Sequence, residues 1–280
     1  MHAQTNNTTY LAVVEQSSWT NETLIAAMQT YIKNVVQHFK GACYAWDVVI
    51  EALGDSADKP WRDSVWYRTI GPAYIPLAFA AAAEADPDAK LYYSDFNLEI
   101  PEKAADAVKI VKDIQARNIK IDGVGLEGHL VVHIAPSRTS IADALRTFTS
   151  LGLDVAITEL DIRHVSLPPS DGDLKAQAEA YVAVVGACLD VPRCVGITVW
   201  QFTDKYSWIP GAFDGQGDAL LWTADHKPKP AYDAVMALLR AAASNTTTTG
   251  DDTSGAGRVS VSSVLGGFLC TGLLSAWLLL

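Results

Sequence analysis

Cysteine is scarce in this chain of 280 residues: Cys43, Cys188, Cys194 and Cys270 are too few and too unevenly spaced for a disulfide-stapled scaffold. Clustered positive charge is missing as well, since 21 Lys and Arg stand against 32 Asp and Glu, a formal net charge of −11. Phosphate binding needs a concentrated positive surface, so no nucleic-acid partner is expected, whereas a neutral substrate meets no electrostatic barrier. No glycine-rich phosphate loop follows any strand-like run, which removes the main support for dinucleotide binding. His129, His133 and His164 stand at irregular spacing without an H-E-x-x-H or paired-cysteine motif. A metal-dependent hydrolase is therefore a weak reading, and no metal or cofactor is expected. The opening MHAQTNNTTY has neither a basic start nor an apolar run long enough for a secretory signal.

Apolar character, by contrast, is plentiful: 49% of residues are hydrophobic and 19% charged, which excludes a disordered or fibrous chain. Because single α/β barrels take about 250 residues, one domain with appendages is the expectation. Helical periodicity over 21–39 puts Leu24, Met28, Ile32, Val35 and Val36 on one stripe, started by Thr20 and Asn21. Short apolar runs then alternate with helical stretches: YAWDVVIEAL, a helix over 74–85, LYYSDFNL, a helix over 104–117, GVGLEGHL, a helix over 141–150, DVAITELDI, a helix over 174–189, GITVWQF and a closing helix over 230–239. Such strands are parallel and buried on both faces. The alternation, with five strands in register with helices, predicts an α/β fold, a (β/α)8 TIM barrel that is incomplete by three units.

Residues 244–258, SNTTTTGDDTSGAGR, read as a Ser/Thr/Gly-rich linker. Residues 259–280 close in an apolar run from Val264, with the small residues Ser254, Gly255 and Ala256 upstream. That order is the one a glycolipid (GPI) attachment signal takes. A tail-anchored transmembrane helix is the alternative, weakened by Gly266, Gly267 and Gly272 and by a run short of the roughly 20 residues a bilayer needs; a misread reading frame is the third. Cys188 and Cys194 bracket a short loop that suits a local disulfide in an oxidising compartment, the alternative being two buried thiols. Sequons at Asn6, Asn7, Asn21 and Asn245 agree with secretion.

In such barrels the reacting groups stand at the C-terminal ends of strands. Those ends read Glu51; Asp95 and Asn97; Glu127 and His129; Glu159 and Asp161; Trp200. A carboxylate at the end of an apolar strand costs several kcal/mol unless it is paired or its pKa moves. Glycoside hydrolysis uses two such groups, one protonating the leaving oxygen and one attacking the sugar carbon. The competing reading is structural: Glu51 and Glu159 cap helices or pair with Arg62 or Arg163.

The neighbouring residues shift that balance. CYAWDVVIEAL resembles the acid/base segment of glycoside hydrolase family 10, Trp-Asp-Val-Val-Asn-Glu-Ala, and ITELDIR resembles its nucleophile segment. YYSDFN, GLEGHL and CVGITVWQFTDKYSW match further blocks of the family in the same order, over 19–239. The resemblance, read together with the Cys188 and Cys194 pair, implies a fungal-like, extracellular, retaining endo-1,4-β-xylanase that cuts internal bonds of xylan by double displacement; a monomer is expected, and the membrane attachment expected from the C-terminal tail is the lipid anchor. It implies Glu51 as acid/base and Glu159 as nucleophile, with carboxyl groups about 5 to 5.5 Å apart. His129 would hydrogen-bond the nucleophile and lean on Asp161. Trp200 and Trp208 would line the sugar-binding cleft, with Phe96, in place of a stacking Tyr, and Asn97 and Glu127 as further substrate contacts. Trp46 is assigned to packing.

The match has departures. Ile50 replaces an Asn that bonds the sugar 2-hydroxyl, leaving an apolar branched chain facing that hydroxyl, so an Ile50→Asn revertant should turn over faster. Glu127 stands where many members have Gln, and its charge should raise the pKa of Glu51. Ser94 replaces a commoner Asn. The family's first strands have no counterpart before Ser18, so the resemblance implies a barrel with strands 1 to 3 missing or partial; residues 1–17 match poorly, and TYLAVVEQ, a remnant or replacement of the third strand, lacks the family's Trp-His. With the catalytic barrel confined to 18–243, a truncated gene model or fragment is expected, and a catalytically impaired xylan-binding remnant is the alternative function.

Overall fold

The computed structural model describes residues 18–56 and 58–248 and the backbone of 268–270. The sequons at Asn6 and Asn7, the remnant over 1–17 and most of the linker and tail lie outside the described residues. Among the described residues two compact units emerge, one built from residues up to 127 with 144–156 and 268–270, the other from 128–143 and 157–248.

The first unit opens with α1 (Asn21–His38), capped reciprocally: Thr23 N–H donates to Thr20 Oγ1 at 3.3 Å and Thr20 N–H donates to Thr23 Oγ1 at 3.0 Å. Leu24, Met28, Ile32 and Val36 form its buried stripe, while Val35 is only half-buried. There follow β1 (Cys43–Ile50), β2 (Leu53–Ser56), β3 (Lys59–Trp61), α2 (Val65–Ile70), α3 (Tyr74–Ala85), β4 (Lys90–Asp95), α4 (Pro101–Ala116) and β5 (Gly123–Leu126). Parallel pairing joins β1 to β4 and β4 to β5. Trp46 is fully buried in β1, as the packing assignment expects. Gly123 has a steric reason to be glycine: a Cβ there would lie 2.2 Å from the Tyr92 ring. Tyr92 itself packs with Ala45 and Ala156 in the core.

The helix α5 (Arg138–Thr149) and the strand β7 (Asp154–Arg163) each contribute residues to both units. Within the second unit, β6 (His129–Val131) runs parallel to β7, pairing His129 with Asp161 and Val131 with Arg163. The helix α6 (Asp171–Leu189) leads to β8 (Cys194–Val199), which also pairs with β7; α7 (Ile209–Ala212) and α8 (Pro230–Thr248) follow. Cys188 and Cys194 form a disulfide that ties the end of α6 to the start of β8. Parallel strands alternating with helices give the α/β fold of an incomplete (β/α)8 barrel.

Several features differ from expectation. The antiparallel hairpin β2–β3 and the short helices α2 and α7 have no counterpart in the sequence reading, because segments this short carry no readable periodicity. The helix α8 does not stop near 239 but runs through Thr248, into the segment read as a linker. Once nucleated, a helix gains one hydrogen bond per added residue, and Ser244 Oγ donates to the Arg240 carbonyl at 3.0 Å in its continuation. From the apolar tail, Phe268–Cys270 forms β9, parallel to β1. Among the described residues, no helix is long and apolar enough to cross a membrane.

Candidate active site

At the end of β1, Glu51 leaves the strand with φ 49°, a left-handed conformation that ends the ladder, while its N–H donates to the Ser94 carbonyl at 3.0 Å. Its Oε2 forms an ion pair with the Arg62 guanidinium at the exit of the β2–β3 hairpin. The sequence reading had placed Arg62 beside Glu51 only in its structural alternative. Ile50 is 2% exposed, its side chain buried at the end of β1.

The neighbouring strand end is organised around a buried carboxylate. Asp95 accepts from the Tyr93 hydroxyl, from Leu53 N–H at 3.2 Å and, as an ion pair at 3.1 Å, from Lys103 Nζ. Burial pushes the Asp95 carboxyl above its usual range, against the pull of Lys103 and of these hydrogen bonds. Lys103 Nζ also bonds Asp55 at 3.1 Å and lies 3.3 Å from the centroid of Phe96. One face of Phe96, expected to stack on sugar, is thus covered by an ammonium group. Asn97 takes φ 57° and donates its amide to Asp55 at 3.4 Å. Glu127 is fully buried at the end of β5, with its N–H donating to the Asp95 carbonyl at 3.1 Å. The sequence reading missed Lys103. Its position was visible, in phase with Ala107, Ile110 and Ile114 on the buried face of α4, but a lysine there reads as a surface residue.

In the second unit, β6 and β7 bring His129, Glu159 and Asp161 together. His129 Nδ1 lies 3.0 Å from Asp161 Oδ2, and Nε2 lies 3.2 Å from Glu159 Oε2. The alternation of β7 puts both acids on one face, two residues apart. Trp208 Nε1 donates to the same Asp161 oxygen at 2.8 Å, and the Trp208 ring meets the His129 ring edge-on at 5.0 Å. Burial by itself pulls the imidazole pKa down, but the hydrogen bonds and charges of Asp161 and Glu159 outweigh it and raise His129 to about 9. At neutral pH it is an imidazolium donating both N–H groups, one to each acid.

Trp200 is 6% exposed, so most of its ring is committed to packing and little is offered for stacking. Arg163 makes no pair with Glu159; it donates to Gln216 at 2.9 Å and lies 4.1 Å from the Phe213 ring centroid. His133 bonds Asp173 at 2.7 Å on the surface, and His164 is buried beside the Gly217 backbone. The three histidines are therefore each engaged in contacts of their own.

The profile of glycosyl hydrolase family 10 matches residues 4–238, a span that begins ahead of the ordered blocks. Endo-1,4-beta-xylanase 5 of Pyricularia oryzae is 51% identical over 243 residues, covering 86% of this chain and 60% of that protein. A solved endo-1,4-beta-xylanase XylE from Penicillium canescens has a TM-score of 0.79 at 42% identity, covering 82% of this chain and 70% of that one. A GH10 xylanase from Bispora sp. MEY-1, solved with xylobiose, has a TM-score of 0.77 at 43% identity, covering 81% and 72%. The chain spans about 60% of the length of the Pyricularia relative. With a profile match over residues 4–238 and relatives about 50% identical over most of its length, the chain belongs to glycosyl hydrolase family 10.

Proposed function

We propose that the chain carries the catalytic machinery of a retaining endo-1,4-β-xylanase acting on xylan or xylo-oligosaccharides. The observation that supports this most is the hydrogen-bonded set of Glu159, His129, Asp161 and Trp208 at the end of β7. A nucleophile must meet the sugar carbon in one direction, and a fixed imidazolium bonded to Glu159 Oε2 supplies that orientation. Asp161, itself held by Trp208, keeps the ring from turning.

In the first step a Glu159 oxygen forms a bond to the anomeric carbon as the glycosidic bond breaks, and Glu51 transfers its proton to the leaving oxygen. In the second, Glu51 takes a proton from water, whose oxygen displaces Glu159 from the same carbon. Net retention of configuration follows from the two inversions. Trp208, Phe96, Asn97 and Glu127 are proposed as substrate contacts, Trp200 as a contact through the edge it leaves uncovered. The xylobiose held by the Bispora relative supports the substrate class.

Release of reducing ends from soluble xylan, measured for the chain and for Glu159→Gln, tests this reading. We expect hydrolysis by the chain and none by the variant. Binding to insoluble xylan with no hydrolysis by the chain would favour the impaired remnant. An extracellular protein is proposed on the Cys188–Cys194 disulfide, which suits an oxidising compartment, and a monomer is proposed with it. The proposed glycolipid attachment at Ser254–Ala256 would remove β9 from the mature chain, so surface release by a phosphatidylinositol-specific phospholipase and the mass of the C-terminal peptide decide it together.

A further inference from the structure

A retaining acid/base has conflicting needs: it must be a carboxylic acid when the glycosidic bond breaks and a carboxylate when water attacks. A cation bonded to it favours the second state and opposes the first. Arg62 is such a cation, and the fold builds its position. Its N–H donates to the Ala52 carbonyl at 3.0 Å and its carbonyl accepts from Ser64 N–H at 3.0 Å, so both sides of the residue are tied down. Ser64 in turn caps α2 by accepting from Tyr67 N–H at 3.2 Å. Trp61, next in the chain, stacks on Tyr67 at 5.7 Å with planes 18° apart. The Arg68–Asp63 ion pair at 2.9 Å closes the same turn. A guanidinium anchored this way reaches Glu51 without the freedom of a long surface side chain. The Glu51 side chain is 18% exposed and that of Arg62 38%, so the pair is only partly screened by water.

We infer that Arg62 is a positioning residue that holds Glu51 as a carboxylate and sets the pH at which it can act as an acid; this rests on the acid/base role proposed above for Glu51. The other charged and titratable groups at this end of the first unit are Asp95 and Tyr93 on β4, Glu127 at the end of β5, Tyr74 on α3, Lys103 on α4 and Asp55 in the hairpin. Lys103 is committed to Asp95 and Asp55, so it does not compete with Arg62 for Glu51. The acids and Arg62 act on Glu51 in opposite directions, and the direct pair is the stronger influence because charge interactions fall with distance.

The test is the pH profile of kcat/KM on soluble xylan and on a nitrophenyl β-xylobioside, for the chain, Arg62→Met and Arg62→Lys. A nitrophenolate leaves without needing a proton, so bond cleavage in that substrate bypasses the acid role of Glu51. For xylan, the alkaline limb should move up by about 1 pH unit or more in Arg62→Met and return towards the parent position in Arg62→Lys. For the nitrophenyl substrate the limb should stay where it is. Coincident xylan limbs for the parent and Arg62→Met, with thermal midpoints unchanged, would overturn the inference; should Arg62→Met not fold, an alkaline shift in a Glu-pairing-deficient Arg62→Gln carries the same decision. Glu51→Gln separates the two levels of the argument: full xylanase activity in that variant removes the acid/base reading itself, whereas its loss leaves Arg62 to be judged by the limbs alone.

Discussion

Gln201 takes φ 94° immediately after the strand-end Trp200, a conformation that favours glycine and strains any residue with a Cβ. We expect Gln201→Gly to raise the unfolding free energy by about 1 kcal/mol, read from urea denaturation, because the relief of strain exceeds the added chain entropy of glycine. His129 makes a second prediction at this scale. Its folded pKa of about 9 lies above the ordinary 6.5, so the folded state binds that proton more tightly than the unfolded one. The stabilisation is complete below about pH 6.5 and is lost as pH rises through about 9. Thermal midpoints measured across that interval should fall, and the slope should flatten in His129→Gln. At single positions, the sequence was most readable where chemistry and spacing coincide, as in the Glu159 to Asp161 pair. It was least readable at Arg62 and Lys103, whose roles depend on a hairpin and on a buried helix face that local pattern does not announce.

Among the elements, the long helices and buried strands were legible because apolar periodicity is strong over ten residues or more, and the expected helix over 74–85 is the observed α3. The hairpin β2–β3 was not, since its register is set by pairing Leu53 with Trp61 and Ser56 with Lys59 across a short turn. The closing helix ran longer than read because Ser and Thr are poor helix formers only relative to better ones, and α8 is already nucleated by its packing on α6. The α6–β8 connection carries a prediction of its own. A disulfide across a sequence separation of 6 closes a short loop, and the chain-entropy relation gives about 2 kcal/mol for it. Reducing it, or replacing both cysteines by serine, should lower stability by that amount in guanidinium titrations while leaving the fold intact by circular dichroism.

For the molecule as a whole, the residues proposed as acid/base and nucleophile belong to different units. One holds Glu51 paired with Arg62, the other Glu159 bonded to His129, which also bonds Asp161. The family was legible from the order of the blocks along the chain. The burial of Ile50 and Trp200 was not, because how deeply a strand-end side chain sinks depends on what packs over it. The account stands on Glu159 forming a covalent bond to sugar, and a 2-deoxy-2-fluoro xylobioside with a good leaving group slows the second step enough to trap that species. Peptide mass spectrometry of the inactivated chain should find one added fluoroxylobiosyl group on Glu159; the label on another residue, or continued turnover with no label at all, would contradict it.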